Sequence, residues 1–195
     1  HSLQGEAVLT PADGHGRWPE SFSLAATAEI DAVSVDGRPA PFTFRHGRLQ
    51  VTLTDRPAAL TITYRIRFED PLPEETVGIE DPSFGVSATI LSQGAFLSAD
   101  SGWHPTPTGM NSLFRVTIAG PPGWTGVTAG WLVDHVTNEA GTRTVWETRS
   151  AHAFLAMAAG AYRIDQADLG EIQVLTFLSP ENAALAADYL DACRQ

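Results

Sequence analysis

The side chains able to do chemistry in this sequence are six histidines (His1, His15, His46, His104, His135 and His152), one thiol, Cys193, and a scatter of acids. A zinc peptidase commonly carries two ligands one helical turn apart, as in H-E-x-x-H, because that spacing puts both imidazoles on one helix face. No histidine here lies within four residues of another. Ligands from distant strands can still converge, but spacing assigns none. Gly85-Val86-Ser87-Ala88-Thr89 approaches the nucleophile elbow G-x-S-x-G, yet lacks the second glycine and sits in a strand-like run. Cys193 shares a stripe with Leu185 and Tyr189, four residues apart, and has no histidine near it in sequence. It reads as a packing cysteine rather than a nucleophile. No phosphate-binding loop of the form G-x-x-x-x-G-K or G-x-G-x-x-G occurs. No catalytic, cofactor-binding or metal-ligating residue is therefore assigned.

Two segments remain as binding candidates. Trp103-His104-Pro105, preceded by Ser101-Gly102 and followed by Thr106-Pro107, could grip a sugar or peptide. The plainer reading is that Trp103 fills a sheet edge while the prolines fix a corner, since tryptophan is chiefly a large apolar payload. The stretch 70–83 carries Glu74, Glu75, Glu80 and Asp81, whose carboxylates could bind calcium. It lacks the regular D-x-D-x-D spacing and reads as a solvated loop. Paired acids for glycoside hydrolysis are a matter of distance in space and stay open.

The elements that would position these groups are mostly strands. In 59–69, Leu60, Ile62, Tyr64, Ile66 and Phe68 alternate with Thr61, Thr63, Arg65 and Arg67, the period of a half-buried strand. Leu49, Val51 and Leu53 repeat the pattern after a turn at Gly47. Asp36-Gly37-Arg38-Pro39 marks a turn between strands at 30–35 and 41–45. Further strands are expected at 86–92, 113–119, 126–134, 142–149, 152–158, 162–166 and 171–178. Short strands at this spacing predict an antiparallel sandwich or barrel. After Ser179 the pattern changes. Serine as N-cap, Pro180 at the first helical position and Glu181 in the first turn open an alanine-rich helix. It reaches Arg194-Gln195 without a glycine cap, which predicts that more protein follows.

Composition narrows the partners. The formal net charge of −11 and the absence of lysine give no basic face for nucleic acid. No apolar run reaches the roughly 20 residues of a spanning helix. A single cysteine forbids an intrachain disulfide without excluding a secreted or periplasmic origin.

An ordered set of phrases resembles the N-terminal domain of the aminopeptidase N-like zinc metallopeptidases, the gluzincin aminopeptidases. Gly94-Ala95-Phe96-Leu97 with Trp103-His104-Pro105 is similar to that family's G-x-(F/Y)-L…W-(Y/H)-P. Next come 114–118, Pro121-Pro122-Gly123-Trp124, Val127-Thr128-Ala129-Gly130 and Thr144-Val145-Trp146-Glu147. The closing phrase is Met157-Ala158-Ala159-Gly160-Ala161-Tyr162. Upstream, 30–37 and the strand pair 49–53 and 60–68 match the family's opening strands.

The resemblance implies a mostly β, twisted, saddle-like antiparallel β-sandwich over residues 1–178 and the start of a linker helix over 179–195. It implies no active site in this stretch, because the family's H-E-x-x-H zinc motif and G-x-M-E-N motif are both missing from it. Zinc is expected in the parent's catalytic domain, with that domain as the partner. The role implied is a non-catalytic domain that packs on it and borders its peptide cleft. Gln93 is the nearest counterpart of a glutamine some members place at the substrate amine, but its surroundings fit that pattern poorly and it receives no role. The alternative is a free-standing carbohydrate- or protein-binding module using Trp103 and His104.

Overall fold

A computed structural model describes residues 1–11, 18–53, 57–72 and 85–194. The chain is mostly β, with antiparallel sheets and one short C-terminal helix. It divides into two compact units, one formed by 1–91, 96–112 and 151–156, the other by 92–95, 113–150 and 157–195.

The first unit begins with β1 (Ser2–Leu9), β2 (Phe22–Ser23) and β3 (Glu29–Val35). It continues with β4 (Arg38–Pro39), β5 (Phe42–Arg45), β6 (Arg48–Val51), β7 (Leu60–Arg67) and β8 (Ala88–Ile90). The chain then runs through β9 (Gly94–Leu97) to β10 (Thr106–Pro107). One sheet has the order β1-β7-β3-β4 and another β10-β2-β6-β5.

Strand β7 is central because its sequence is the most regular. Leu60, Ile62, Tyr64 and Ile66 are buried while Arg65 and Arg67 face solvent. Each such burial contributes about 1.5–3 kcal/mol. Phe22, Leu49, Leu97 and Leu155 are among the other fully buried side chains of this unit. The turn Asp36-Gly37 has positive φ at both residues, 49° and 75°, as does His46-Gly47 at 50° and 76°. That backbone joins antiparallel strands without splaying them, and Gly adopts it at little cost. The Asp36 carboxylate accepts the Ala58 and Ala59 N–H groups, both at 2.9 Å, tying the turn to the strand beside it.

The second unit holds β11 (Arg115–Gly120), β12 (Thr125–Thr128), β13 (Trp131–Asn138), β14 (Gly141–Glu147) and β15 (Met157–Gly160). It closes with β16 (Arg163–Leu169), β17 (Ile172–Leu178), a 3-10 turn over Pro180–Leu185 and α1 (Ala186–Ala192). Strand β14 lies between β11 and β13, β12 pairs with β15, and β16 pairs with β17. Trp146 anchors the core: its indole N–H reaches the Gly126 carbonyl and the Thr144 hydroxyl, both at 3.1 Å.

Three expectations need correction. The strand expected over 126–134 is two strands, broken at Gly130, whose φ of 115° suits no L side chain. A Cβ there would also lie 2.5 Å from the Glu147 carbonyl oxygen. The strand expected over 152–158 starts only at Met157. Before it, His152 exchanges both backbone hydrogen bonds with Ser112, and Leu155 turns inward instead of continuing a ladder. Finally, the stripe Leu185, Tyr189 and Cys193 is exposed, and the helix buries Ala186 and Leu190 instead. Those two residues form the neighbouring stripe, a rotation of one residue about the helix axis.

Candidate functional site

The Trp103-His104 segment lies in the first unit. Gly102, at φ 70°, packs so closely on the 24–25 backbone that a Cβ would lie 2.4 Å from the Ala25 nitrogen. The Ala25 N–H donates to the Gly102 carbonyl at 2.8 Å, and β10 pairs with β2 just beyond. These contacts pull the intervening residues inward. Trp103 is 6% and His104 8% exposed. The Trp103 indole N–H donates to the Leu155 carbonyl at 2.6 Å. The His104 ring meets the Trp103 ring edge-on at 4.6 Å between centroids. Its Nδ1 lies 3.3 Å from the Pro105 carbonyl and 3.5 Å from the Thr106 hydroxyl. Burial lowers the His104 pKa below its ordinary value, partly offset by the Pro105 hydrogen bond. An enclosed imidazole set edge-on to an enclosed indole presents no flat aromatic face to a sugar or peptide.

A more open site of the first unit is a groove of about 730 Å³ at the ends of β1 and β7 and the start of β8. Arg65, Arg67, Glu29, Glu69 and Asp70 line it. The Arg65 guanidinium bridges Glu29 at 3.0 Å and Asp31 at 2.9 Å. The Asp70 carboxylate accepts the Ser87 N–H at 3.1 Å and the Ala88 N–H at 2.7 Å. That places Ser87 on a backbone clamp, not on a nucleophile elbow. Among the described residues, no histidine or cysteine lines the groove. It offers charge for binding polar groups, and the serines Ser2, Ser87 and Ser101 also line it.

The remaining sequence candidates lie apart from both. The Gln93 carboxamide oxygen accepts the hydroxyl of adjacent Ser92 at 3.1 Å on an exposed segment. His15 and the acids Glu74, Glu75, Glu80 and Asp81 fall outside the described residues. Among the described residues, no three His, Cys, Asp or Glu side chains gather to hold a metal ion, and no helix is long and apolar enough to cross a membrane. Asp70, which holds the Ser87 and Ala88 N–H groups at the start of β8, was not singled out from the sequence. Its signal was the acid at the very end of the regular β7 alternation.

No family model matches the sequence, and no curated protein matches it significantly. Solved structures do match. An M1 zinc metallopeptidase from Deinococcus radiodurans superimposes with a TM-score of 0.65 at 17% identity, over 89% of this chain and 42% of its own. This chain has the fold of one part of the M1 zinc metallopeptidases. An aminopeptidase N family protein from Idiomarina loihiensis matches 99% of this chain and 33% of its own, with a TM-score of 0.60 at 13% identity. Legionella pneumophila aminopeptidase A matches 94% and 23%, with a TM-score of 0.63 at 8% identity. The chain thus spans less than half the length of these M1 structures. At such identities the likeness establishes the fold alone. It is the fold that the ordered phrases, Gly94–Leu97 through Tyr162, had indicated.

Proposed function

We propose that this chain is the non-catalytic N-terminal domain of a zinc aminopeptidase-like protein, with 1–178 as the β domain and 179–195 as the start of a linker helix. It packs on the catalytic domain of the same parent chain and borders its peptide-binding cleft. One observation carries the reading: the fold accounts for nearly all of this chain but under half of each M1 structure it matches. Zinc in an active peptidase needs three protein ligands around an open position, and the described residues gather no such set. On this reading the metal belongs to the catalytic domain of the parent chain.

The free-standing binding module loses its aromatic motive, because Trp103 and His104 are packed inside the first unit, while Glu74, Glu75, Glu80 and Asp81 lie outside the described residues. The test is the reading frame of the gene beyond the codon for Gln195. An H-E-x-x-H with a downstream glutamate is the expected finding, and an immediate stop codon contradicts the proposal.

A further inference from the structure

The longest regular edge of the first unit is unguarded. Strand β1 pairs with β7 through eight consecutive positions, from Ser2–Arg67 to Leu9–Leu60, without a bulge. The Phe68 N–H donates to the His1 carbonyl at 3.1 Å, which fixes the phase of that ladder. Odd-numbered residues bond to β7. The N–H and C=O of Ser2, Gln4, Glu6 and Val8 point away from it, and among the described residues no strand pairs with that side. Natural edges are usually blunted by proline, lysine, bulges or short length. Strand β1 has none of these and carries one charge, Glu6. The contrast is β13, also eight residues long. Its ladder is broken by a bulge between Leu132 and Asp134, and the Gln173 carboxamide occupies the Leu132 N–H at 3.0 Å and carbonyl at 3.3 Å.

We propose that β1 is a self-association edge, which pairs antiparallel with β1 of a second copy of this chain about a two-fold axis through Gly5. The sequence of the strand selects this occupant and register. With Gly5 opposite its own copy, Ser2 faces Val8 and Gln4 faces Glu6. All four outward-facing residues of each copy then sit in hydrogen-bonded pairs. Each Gln4 carboxamide lies across from a Glu6 carboxylate, a favourable cross-strand pair on the solvent face. Shifting the axis to Glu6 would set two carboxylates opposite each other, which is destabilising. At the axis itself the backbones approach as a close, non-hydrogen-bonded pair. Gly5 brings no side chain there. Its only Cβ position is already filled by the Tyr64 ring, 2.4 Å away. The interface is isologous and closes on itself, so it stops at a dimer.

The inference stands independently of the aminopeptidase reading. It is tested by sedimentation equilibrium of the whole chain, loaded up to about 1 mM because an interface of one strand pair falls among weak, small contacts. The salt is held near 0.15 M to screen the acidic surface. The expected result is a monomer–dimer equilibrium. Gln4→Pro removes an N–H that β7 does not use, so the fold survives, and the dimer weakens by about tenfold or more. Circular dichroism checks that fold. Glu6→Lys, which sets lysine against Gln4 and leaves the backbone intact, gives a second variant whose dimer is weaker than wild type. A wild-type chain that stays monomeric across the range overturns the proposal. So does association that Gln4→Pro, folded, leaves unchanged.

Discussion

The indole N–H of Trp103 donates to the backbone carbonyl of Leu155 at 2.6 Å, across 52 residues of sequence. This bond fixes the segment that looked most like a binding motif as part of the interior. Leu155 is itself buried, so the acceptor has no access to water. Trp103→Phe keeps most of the apolar volume and orphans that carbonyl. The expected cost is about 1–3 kcal/mol, the penalty for an unsatisfied buried group. Trp103→Ala adds a cavity and costs more, about 3–5 kcal/mol. Urea unfolding followed by circular dichroism measures both. A Trp103→Phe variant as stable as wild type would show that the hydrogen bond contributes nothing separate.

His104 makes the first unit sensitive to acid. Burial holds its folded-state pKa below the unfolded value of about 6.5. Between those two values the unfolded chain binds the proton and the folded chain does not. Its stabilising contribution is therefore complete above about pH 6.5 and is lost as the pH falls through the lowered value. NMR titration of the imidazole should place His104 below the ordinary histidine value of about 6.5. In His104→Gln the midpoint of urea unfolding should fall less steeply between neutral pH and pH 5. Protonation of His104 at or above the ordinary value contradicts this.

Gly126 is needed for close approach. A Cβ there would lie 2.2 Å from Ile118 Cγ2, and the Gly126 carbonyl accepts from both Thr144 and Trp146. Gly126→Ala is expected to destabilise the second unit by about 1–3 kcal/mol, the usual range for overpacking. Ile118→Ala removes the obstructing methyl groups. The double variant Gly126→Ala/Ile118→Ala should be less destabilised than the sum of the single ones. Strict additivity would place the strain elsewhere.

Cys193 is exposed at the end of α1. A thiol reagent such as dithionitrobenzoate should modify one group per chain in native buffer, at a rate close to that in denaturant. Protection by more than about a hundredfold would return it to the interior, where local opening limits reaction.

The legible parts of this fold were those where a single chemical period or a single backbone demand decides the outcome. Strand β7 declares itself because its four apolar residues alternate with polar ones, and the turns at 36–37 and 46–47 carry their glycines, Gly37 and Gly47. Contacts between distant residues were not legible. Gly130 breaks a run that looks continuous, because a carbonyl of β14 sits where a side chain would go. Strand β1 was missed because Gly5 interrupts its alternation, and only the Tyr64 ring across the ladder fills the gap. For the C-terminal helix, composition announced the helix but two adjacent stripes were both apolar. Which one is buried depends on β16 and β17, which pack on α1. Of the candidate segment, the residue types of Trp103 and His104 were legible and their surroundings were not. The histidine spacing argued against a helical zinc motif, while the enclosure of Trp103 and His104 required the fold.

The central claim is that the chemistry resides outside these 195 residues. The most direct measurement is hydrolysis of a panel of aminoacyl-p-nitroanilides by the purified chain, with and without added zinc, beside the same assay on the product of the complete gene. The account predicts no zinc-dependent turnover by the chain alone and chelator-sensitive turnover by the complete product. Zinc-dependent release of nitroaniline by the chain alone, at a rate comparable to the complete product, would contradict it.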